Sequence, residues 1–350
     1  MDKFNKRLAI ISPEILSKIA RIEQLKGQWI QGAKLNPQLL GRLKRSVLIT
    51  STGASTRIEG AKLSDQEVEK LMQGVAIQKL ADRDKQEVKG YYELLQSVFE
   101  VWDSIKFSES SIKHLHMELL KYVDKDKFHR GKYKSKENRV EMVDENGRRL
   151  GVLFDTTPAY LTPKQMQELV EWTQSAFKVK TYHPLLIIGL FLVEFLSIHP
   201  FEDGNGRLSR ILTNLLLLKM GYLYMPYVSH EKLIEDKKID YYIALRKSQK
   251  TFKTRRIHLV PWLIFFLDIV LVQSEQAISL ISSERLETIL SNKQLAVWEY
   301  LQTVIEATPK EMTDKTSIAR PTVNQVLSKL LRLNKIEKLG LGRSTRYRKL

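Results

Sequence analysis

The residues best suited to chemistry in this 350-residue chain lie together, in His199-Pro200-Phe201-Glu202-Asp203-Gly204-Asn205-Gly206-Arg207-Leu208-Ser209-Arg210. Gly204 and Gly206 flank Asn205, and glycine admits positive φ and lets backbone N–H groups converge on a ligand. An apolar helical pattern begins at Leu208. The loop therefore opens a helix, whose first N–H groups are unpaired and whose dipole favours anions. Arg207 and Arg210 stand one turn apart at that end, where cations oppose the dipole unless an anion lies between them. Asp203 offers a hard oxygen ligand for Mg²⁺, the usual companion of a nucleoside triphosphate. His199 supplies a base that titrates near neutrality. Together they describe a phosphate site with a proton acceptor beside it.

Two helices must hold this loop. Residues 185–198 are almost continuously apolar, with Glu194 the one charge, which describes a helix buried on every side. Residues 208–219 form the second, and Gly221 suits its C-terminal cap. Upstream, Ile15, Ile19, Ile22 and Leu25 repeat at helical spacing, as do Leu35, Leu39, Leu40, Leu43 and Val47, with Asn36-Pro37 as a helix start. Ser64 and Glu67 make a capping box. Further helices are predicted over 85–102, 110–122 and 164–177. Between them the pattern turns extended over 137–154. Asp144-Glu145-Asn146-Gly147 sits at its centre, a strong hairpin signal.

The chain carries a formal charge of +17 and no cysteine. The charge attracts phosphate-bearing partners. Lack of cysteine excludes disulfides, thiolate metal sites and cysteine nucleophiles. The apolar run 259–272 is short for a bilayer and contains Asp268, so it reads as a buried helix. No signal peptide is evident at the start. The expectation is a cytoplasmic protein with no membrane partner.

The loop resembles the signature of the Fic family, His-Pro-Phe-x-(Asp/Glu)-Gly-Asn-Gly-Arg-x-x-Arg, at every fixed position. The resemblance extends over about residues 5–280. It implies a mainly α fold: a Fic-type helical bundle with a small β-hairpin flap. It implies transfer of AMP from ATP to a Ser, Thr or Tyr hydroxyl of a protein, the chain itself included. His199 would take the hydroxyl proton, and Phe201 would anchor the loop. Asp203 would hold Mg²⁺. ATP contact is expected from Glu59, Gly204, Asn205, Gly206, Arg207, Leu208, Ser209 and Arg210, with the two arginines on the β- and γ-phosphates. The flap, 139–143 with 149–154, would line up target proteins. Tyr241 is placed against the nucleoside, core packing being the equal alternative, and Tyr242 is read as packing. Ser55-Thr56-Arg57-Ile58-Glu59-Gly60 resembles the family's inhibitory motif. Ser55, Glu59 and Gly60 are its fixed positions, and Glu59 would compete for the ATP site at Arg210. A homodimer is among the assemblies considered. His183 reads as a helix-start residue, and no histidine spacing describes a zinc site.

After residue 280 the sequence turns polar, and the tail from Ser291 reads as a separate unit. Residues 291–305 and 322–333 are helical, and 335–339 with 343–347 are two strands. This resembles a winged helix-turn-helix. From Lys310 onward eleven basic residues face three acidic ones, the footprint of a phosphate-backbone binder. DNA and protein remain alternative partners for it. The expected division is 1–90, an N-terminal helical region with the inhibitory motif; 91–285, the catalytic domain; and 290–350, the winged helix. The rival class is a DNA-binding transcriptional regulator with a vestigial Fic domain. Intact His199, Asp203, Asn205 and Arg210 speak against it.

Overall fold

Apolar residues at helical spacing dominate the sequence, and the computed structural model is accordingly built of helices. It describes residues 2–9, 11–32, 37–74, 82–143, 149–252, 254, 258–333, 335–339 and 345–349. The helices of the first part are α1 (Asp2–Arg7), α2 (Pro13–Gly32), α3 (Pro37–Ile58), α4 (Asp65–Gly74), α5 (Arg83–Val101), α6 (Glu109–Leu119), α7 (Thr162–Val179), α8 (Pro184–Ile198), α9 (Asn205–Lys219), α10 (His230–Asp236), α11 (Lys238–Gln249) and α12 (Val260–Ile289). The starts at Leu35 and Asn36 lie outside the described residues. The Ser64 box forms as read, with Ser64 N–H donating to Glu67 at 2.8 Å and Glu67 N–H donating back to Ser64 Oγ at 3.3 Å. His183 caps α8, accepting from Leu185 N–H at 3.3 Å.

Two antiparallel strands interrupt the helices, β1 (Arg139–Val143) and β2 (Arg149–Asp155). Arg139 pairs with Asp155 and Val143 with Arg149. The turn at Asn146-Gly147 lies outside the described residues. The helical pattern resumes at α7, which packs on α8.

The chain divides into two compact units, Met1–Ile278 and Ser279–Leu350. Residues 1–90 thus share the unit of the loop rather than forming a part of their own. The reason is burial: α3 packs on α5 and α10, and its Ser51, Thr52, Ser55 and Thr56 are all buried. At the centre lies α8, every residue of which except Ser197 and the leading proline is buried. Its one charge, Glu194, is ion-paired with Arg7 of α1, so the buried carboxylate is compensated.

The apolar run near residue 260 is longer than the sequence reading allowed. Val260–Ile281 is long and apolar enough to cross a bilayer by length and composition alone, with half of its most apolar window buried. Within the unit this helix packs through Trp262, Leu263, Phe266 and Leu267. Its Trp262 indole donates to the Gly189 carbonyl of α8 at 2.7 Å, and Asp268 pairs with Lys18 at 2.5 Å.

The second unit has its own core, with Val297, Trp298, Met312, Val323, Val326 and Leu330 buried together. It contains α13 (Asn292–Thr303), α14 (Pro309–Thr316) and α15 (Arg320–Arg332). The strands β3 (Ile336–Leu339) and β4 (Arg346–Lys349) pair antiparallel, Ile336 with Lys349 and Leu339 with Arg346. The helix expected from Thr322 begins two residues earlier, with Pro321 in its first turn. The second strand is described from Arg346, and residues 343 and 344, where its start is expected, lie outside the described residues.

Candidate active site

The loop is held from several sides. Helix α8 ends because His199 takes a left-handed conformation, φ 51° and ψ 63°, while its N–H still donates to Phe195. Non-glycine residues adopt that region at some cost and persist there only when their surroundings fix them. Phe201 is fully buried and stacks on His116 of α6, ring centroids 3.8 Å apart and 8° between planes. His116 Nδ1 accepts from Gly131 N–H at 2.9 Å, and Nε2 faces the Asp203 carbonyl at 2.9 Å. Those partners require a neutral ring protonated on Nε2, and burial lowers its pKa to about 4.

Asn205 closes the turn. Its side chain accepts from Phe201 N–H at 3.0 Å and donates to the Phe201 carbonyl at 2.8 Å. Both ends of the amide thus brace the loop. Gly204 is the N-cap of α9 at φ 77°, where any Cβ would be strained. The first intrahelical bond is Leu208 N–H to the Gly204 carbonyl, 2.8 Å. The N–H groups of Asn205, Gly206 and Arg207 therefore precede the helix ladder, the arrangement that binds anions.

A carboxylate lies beside that helix start. Glu59 follows the last residue of α3, and Gly60, at φ 103°, ends the helix. Gly60 N–H donates to Arg57 and Ala61 N–H to Thr56, each 3.1 Å, the bonds of a Schellman cap. The cap aims Glu59 across the unit at α9. Arg210, 2% exposed, donates from one terminal nitrogen to Glu59 at 2.8 Å and to the Ser55 carbonyl at 2.9 Å. Its Nε donates to Ser55 Oγ at 2.7 Å. The other terminal nitrogen is buried without a hydrogen-bond partner among the described residues. A Cβ on Gly206 would fall 2.2 Å from Glu59 Oε1, so the carboxylate rests against the start of α9. Burial opposes the Arg210 charge, but Glu59 outweighs it and raises the pKa above its ordinary value.

Arg57, inside the same motif, anchors this helix end. Its guanidinium takes Glu235 of α10 at 2.6 and 3.1 Å, the Leu63 carbonyl at 2.9 Å and Asp65 at 2.9 Å. The end of α3 is therefore stapled to both α4 and α10, and Glu59 is held in place rather than free to swing.

Asp203 sits at the lip of the cradle. Burial works to raise its pKa, but Arg207, the Gly204 N–H and Arg83 together lower it, so it is ionised. Arg207 is buried and pairs with Glu87 at 2.6 Å and Asp203 at 3.0 Å. Arg83 reaches Asp203 at 2.8 Å from the start of α5. The Arg207 guanidinium, expected on a phosphate, is held in this structure by two carboxylates. No group of three or more His, Asp or Glu side chains gathers as a metal site among the described residues. Asp203, ionised and partly exposed, still fits a Mg²⁺ ion of the kind that takes most of its ligands from substrate phosphates and water.

Other expected contacts are not available as side chains. Leu208 is fully buried and its N–H belongs to the helix. Ser209 donates to the Gly206 carbonyl at 2.7 Å. Tyr241 is 4% exposed and packs against Tyr242, Trp262 and Phe265 at 5.1–5.8 Å between centroids. That is the packing alternative for its ring. Its hydroxyl interacts with Ser209 and Arg210, and burial pushes its pKa up to about 12. Tyr242 is half-buried.

The His199 imidazole is kept neutral. Burial and, next, the charge of Lys134 lower its pKa to about 4, against smaller opposite effects of Glu59 and Asp203. Lys134, His116, Glu87 and Arg83 are functional neighbours that sequence reading does not single out. They reach the loop from elements 60 to 120 residues away, with no motif spacing of their own. The Gly131-Lys132-Tyr133-Lys134 stretch, with a glycine at φ 68°, is the one local signal.

An anion cradle at a helix N-terminus, a neutral histidine at the preceding helix end and a hairpin nearby lie together in one helical unit. Residues 106–217 match the Fic/DOC family model. A probable protein adenylyltransferase of Aquifex aeolicus is 29% identical over 189 residues, 52% of each chain. The protein adenylyltransferase Fic of Drosophila erecta is 44% identical over 57 residues, 16% of this chain and 11% of the relative. The chain thus spans about half or less of the curated relatives it matches. Among solved structures, a Fic family protein from Desulfovibrio desulfuricans superimposes with TM-score 0.62 at 24% identity, covering 97% of both chains. A Fic domain containing signalling protein from Bacteroides thetaiotaomicron gives 0.60 at 22%, covering 75% of this chain and 97% of the other.

Proposed function

We propose that this chain is a protein adenylyltransferase that inhibits itself, transferring AMP from ATP to a Ser, Thr or Tyr hydroxyl of a protein, itself included. The observation that carries the reading is the Glu59 carboxylate on Arg210, over Gly206 at the start of α9. An arginine fork and a helix N-terminus are a phosphate site, and here an internal anion takes that place.

In the reaction the target hydroxyl oxygen attacks the α-phosphorus of ATP and gives its proton to neutral His199. The bond from the α-phosphorus to the bridging β-oxygen breaks, and pyrophosphate leaves. The N–H groups of Asn205, Gly206 and Arg207 face the developing phosphate charge. Arg210, once freed, holds the γ-phosphate. When bound at Asp203, Mg²⁺ supplies further charge neutralisation to the phosphates. Catalysis of this kind is mostly positioning and charge stabilisation. The edge of the β1–β2 hairpin offers backbone groups for pairing with an extended target segment, a mode that tolerates many sequences.

Glu59 blocks the γ-phosphate pose and so misaligns the α-phosphate. A charge-assisted hydrogen bond is worth about 1.5–3 kcal/mol, so Glu59→Gly should label self and target roughly ten- to a hundredfold faster. Incubation with ATP labelled on the α-phosphate measures this. The gain should vanish when Arg210→Ala is added. A folded Glu59→Gly that binds ATP and labels no faster than wild type would sink the autoinhibition reading. We propose that the second unit is a winged helix, with duplex DNA as the partner its charge favours.

A further inference from the structure

Lys134 lies between α6 and β1 and is 3% exposed. Its ammonium carries three N–H donors and meets three acceptors: Asn138 Oδ1 at 2.7 Å, Thr156 Oγ1 at 2.8 Å and the Ile198 carbonyl at 3.1 Å. Its own backbone N–H donates to the Pro200 carbonyl at 2.8 Å. One residue therefore holds the carbonyls of Ile198 and Pro200, the residues on either side of His199, which is in the left-handed conformation. The same residue reaches the hairpin, because Asn138 precedes β1 and Thr156 follows β2. The tie is reinforced. Thr156 donates to the Asn138 carbonyl at 2.8 Å, and Asn138 Nδ2 donates to the Phe201 carbonyl at 3.0 Å.

We propose that Lys134 is the positioning residue for His199, bracketing it through both neighbouring carbonyls, facing it with a positive charge and coupling it to the base of the hairpin. The proposal rests on the reading of His199 as the proton acceptor. A buried lysine is costly unless its donors are all used, and here the ammonium form uses all three. The cation also has a direct effect on its neighbour. The charged groups facing His199 are Lys134, from the segment after α6, Glu59, from the end of α3, and Asp203, from the loop itself. Lys134 favours the neutral imidazole and the two carboxylates favour the protonated one. Only the neutral ring accepts a proton, so removing Lys134 moves the acidic limb of activity upward, whereas at pH 7, well above about 4, the ring stays neutral and a loss of rate reports lost positioning. Burial holds Lys134 itself down to about 8. The three-donor bracket should therefore weaken as pH rises past that value, giving an alkaline limb to activity.

The experiment is a titration of the His199 ring by NMR in the full chain, labelled in histidine and assigned with His199→Gln. Lys134→Met removes charge and donors. Lys134→Gln keeps length and one donor, and guards against a Met variant that fails to fold. In either folded variant the His199 midpoint should rise by about one pH unit, the size expected for loss of one nearby charge. Kinetics are compared in the Glu59→Gly background. There kcat at pH 7 should fall at least about tenfold with the ATP Kd within about twofold, and the acidic limb should move up with the midpoint. A folded Lys134→Gln protein with an unchanged His199 midpoint overturns the proposal. So does a fall in kcat with no movement of the limb, which is what a merely structural residue would give. If His199→Ala retains the rate of its Glu59→Gly parent, the base reading fails instead, and the NMR midpoint still decides whether Lys134 acts on His199.

Discussion

At the scale of the residue, the site is a set of charges already satisfied by one another. Arg210 has Glu59 and Asp203 has Arg83 and Arg207, while neutral His199 faces Lys134, which disfavours its protonated form. Each can be tested by what it leaves behind. His199→Ala should abolish transfer while ATP binding stays near wild type, because the cradle is made of backbone N–H groups and Arg210. Calorimetry of ATP binding beside a labelling assay separates the two, and labelling at the parent rate would remove His199 from the role of base. Asp203→Ala should cost most of the Mg²⁺-dependent rate, since it takes away the loop's ionised carboxylate at the cradle. A Mg²⁺ titration of activity that is the same before and after would dispense with Asp203. Glu59→Gln keeps the shape and loses the charge, so its gain should lie between wild type and Glu59→Gly.

At the scale of the element, the loop is positioned by the end of α8, the start of α9, the inner face of α6, the end of α3 and the segment from Lys134 to Asn138 before β1. The α6 contact has a consequence for stability. His116 is buried neutral, with its pKa lowered to about 4 from 6.5. The unfolded chain therefore binds a proton below pH 6.5 that the folded chain resists. Stability is complete above about pH 6.5 and falls as pH drops toward 4, by on the order of 2 kcal/mol at pH 5. His199 has the same depression and adds to the loss. Thermal unfolding measured between pH 7.5 and 5 should show a shallower decline for His116→Gln than for wild type. Parallel declines would mean that His116 is not among the groups responsible. The α3 contact is equally an element property. The Schellman cap at Gly60 and the Arg57 staple to Glu235 and Asp65 set where Glu59 points.

At the scale of the molecule, two units have separate cores. The excess of basic over acidic residues from Lys310 onward suits a polyanion. In the described part of that surface, Arg346 already pairs with Glu306 at 3.1 Å and Arg348 with Glu337, pairs that solvent screens and that contribute little to stability. Replacing Arg343, Arg346 and Arg348 with Ala should leave self-labelling unchanged. If the second unit binds duplex DNA, the affinity should drop and the salt dependence should flatten by about one unit per lost phosphate contact. Absence of duplex binding by the wild-type chain at low salt would turn the reading toward protein contacts.

The sequence alone determined the features that are local. Residues 199–210 are contiguous, so their order already specifies a helix end, a glycine turn and a helix start. Ser55, Glu59 and Gly60 share one helix end, so the cap and the carboxylate could be read together. Ser64 with Glu67, and the apolar runs of α8 and α9, are likewise set by spacing within a few turns. Tertiary structure decided what crosses the chain. Arg207 meets Glu87 instead of facing an open cradle, Tyr241 turns its ring into the aromatic packing of α12, and the first 90 residues join the unit of the loop. His116 and Lys134 brace that loop from segments that carry no motif. The reason is geometric. Which faces of two helices meet depends on packing over the whole unit, and a buried charge finds its partner only after that packing is fixed. Periodicity tells which side of a helix is buried, but not which residue of a distant helix lies opposite.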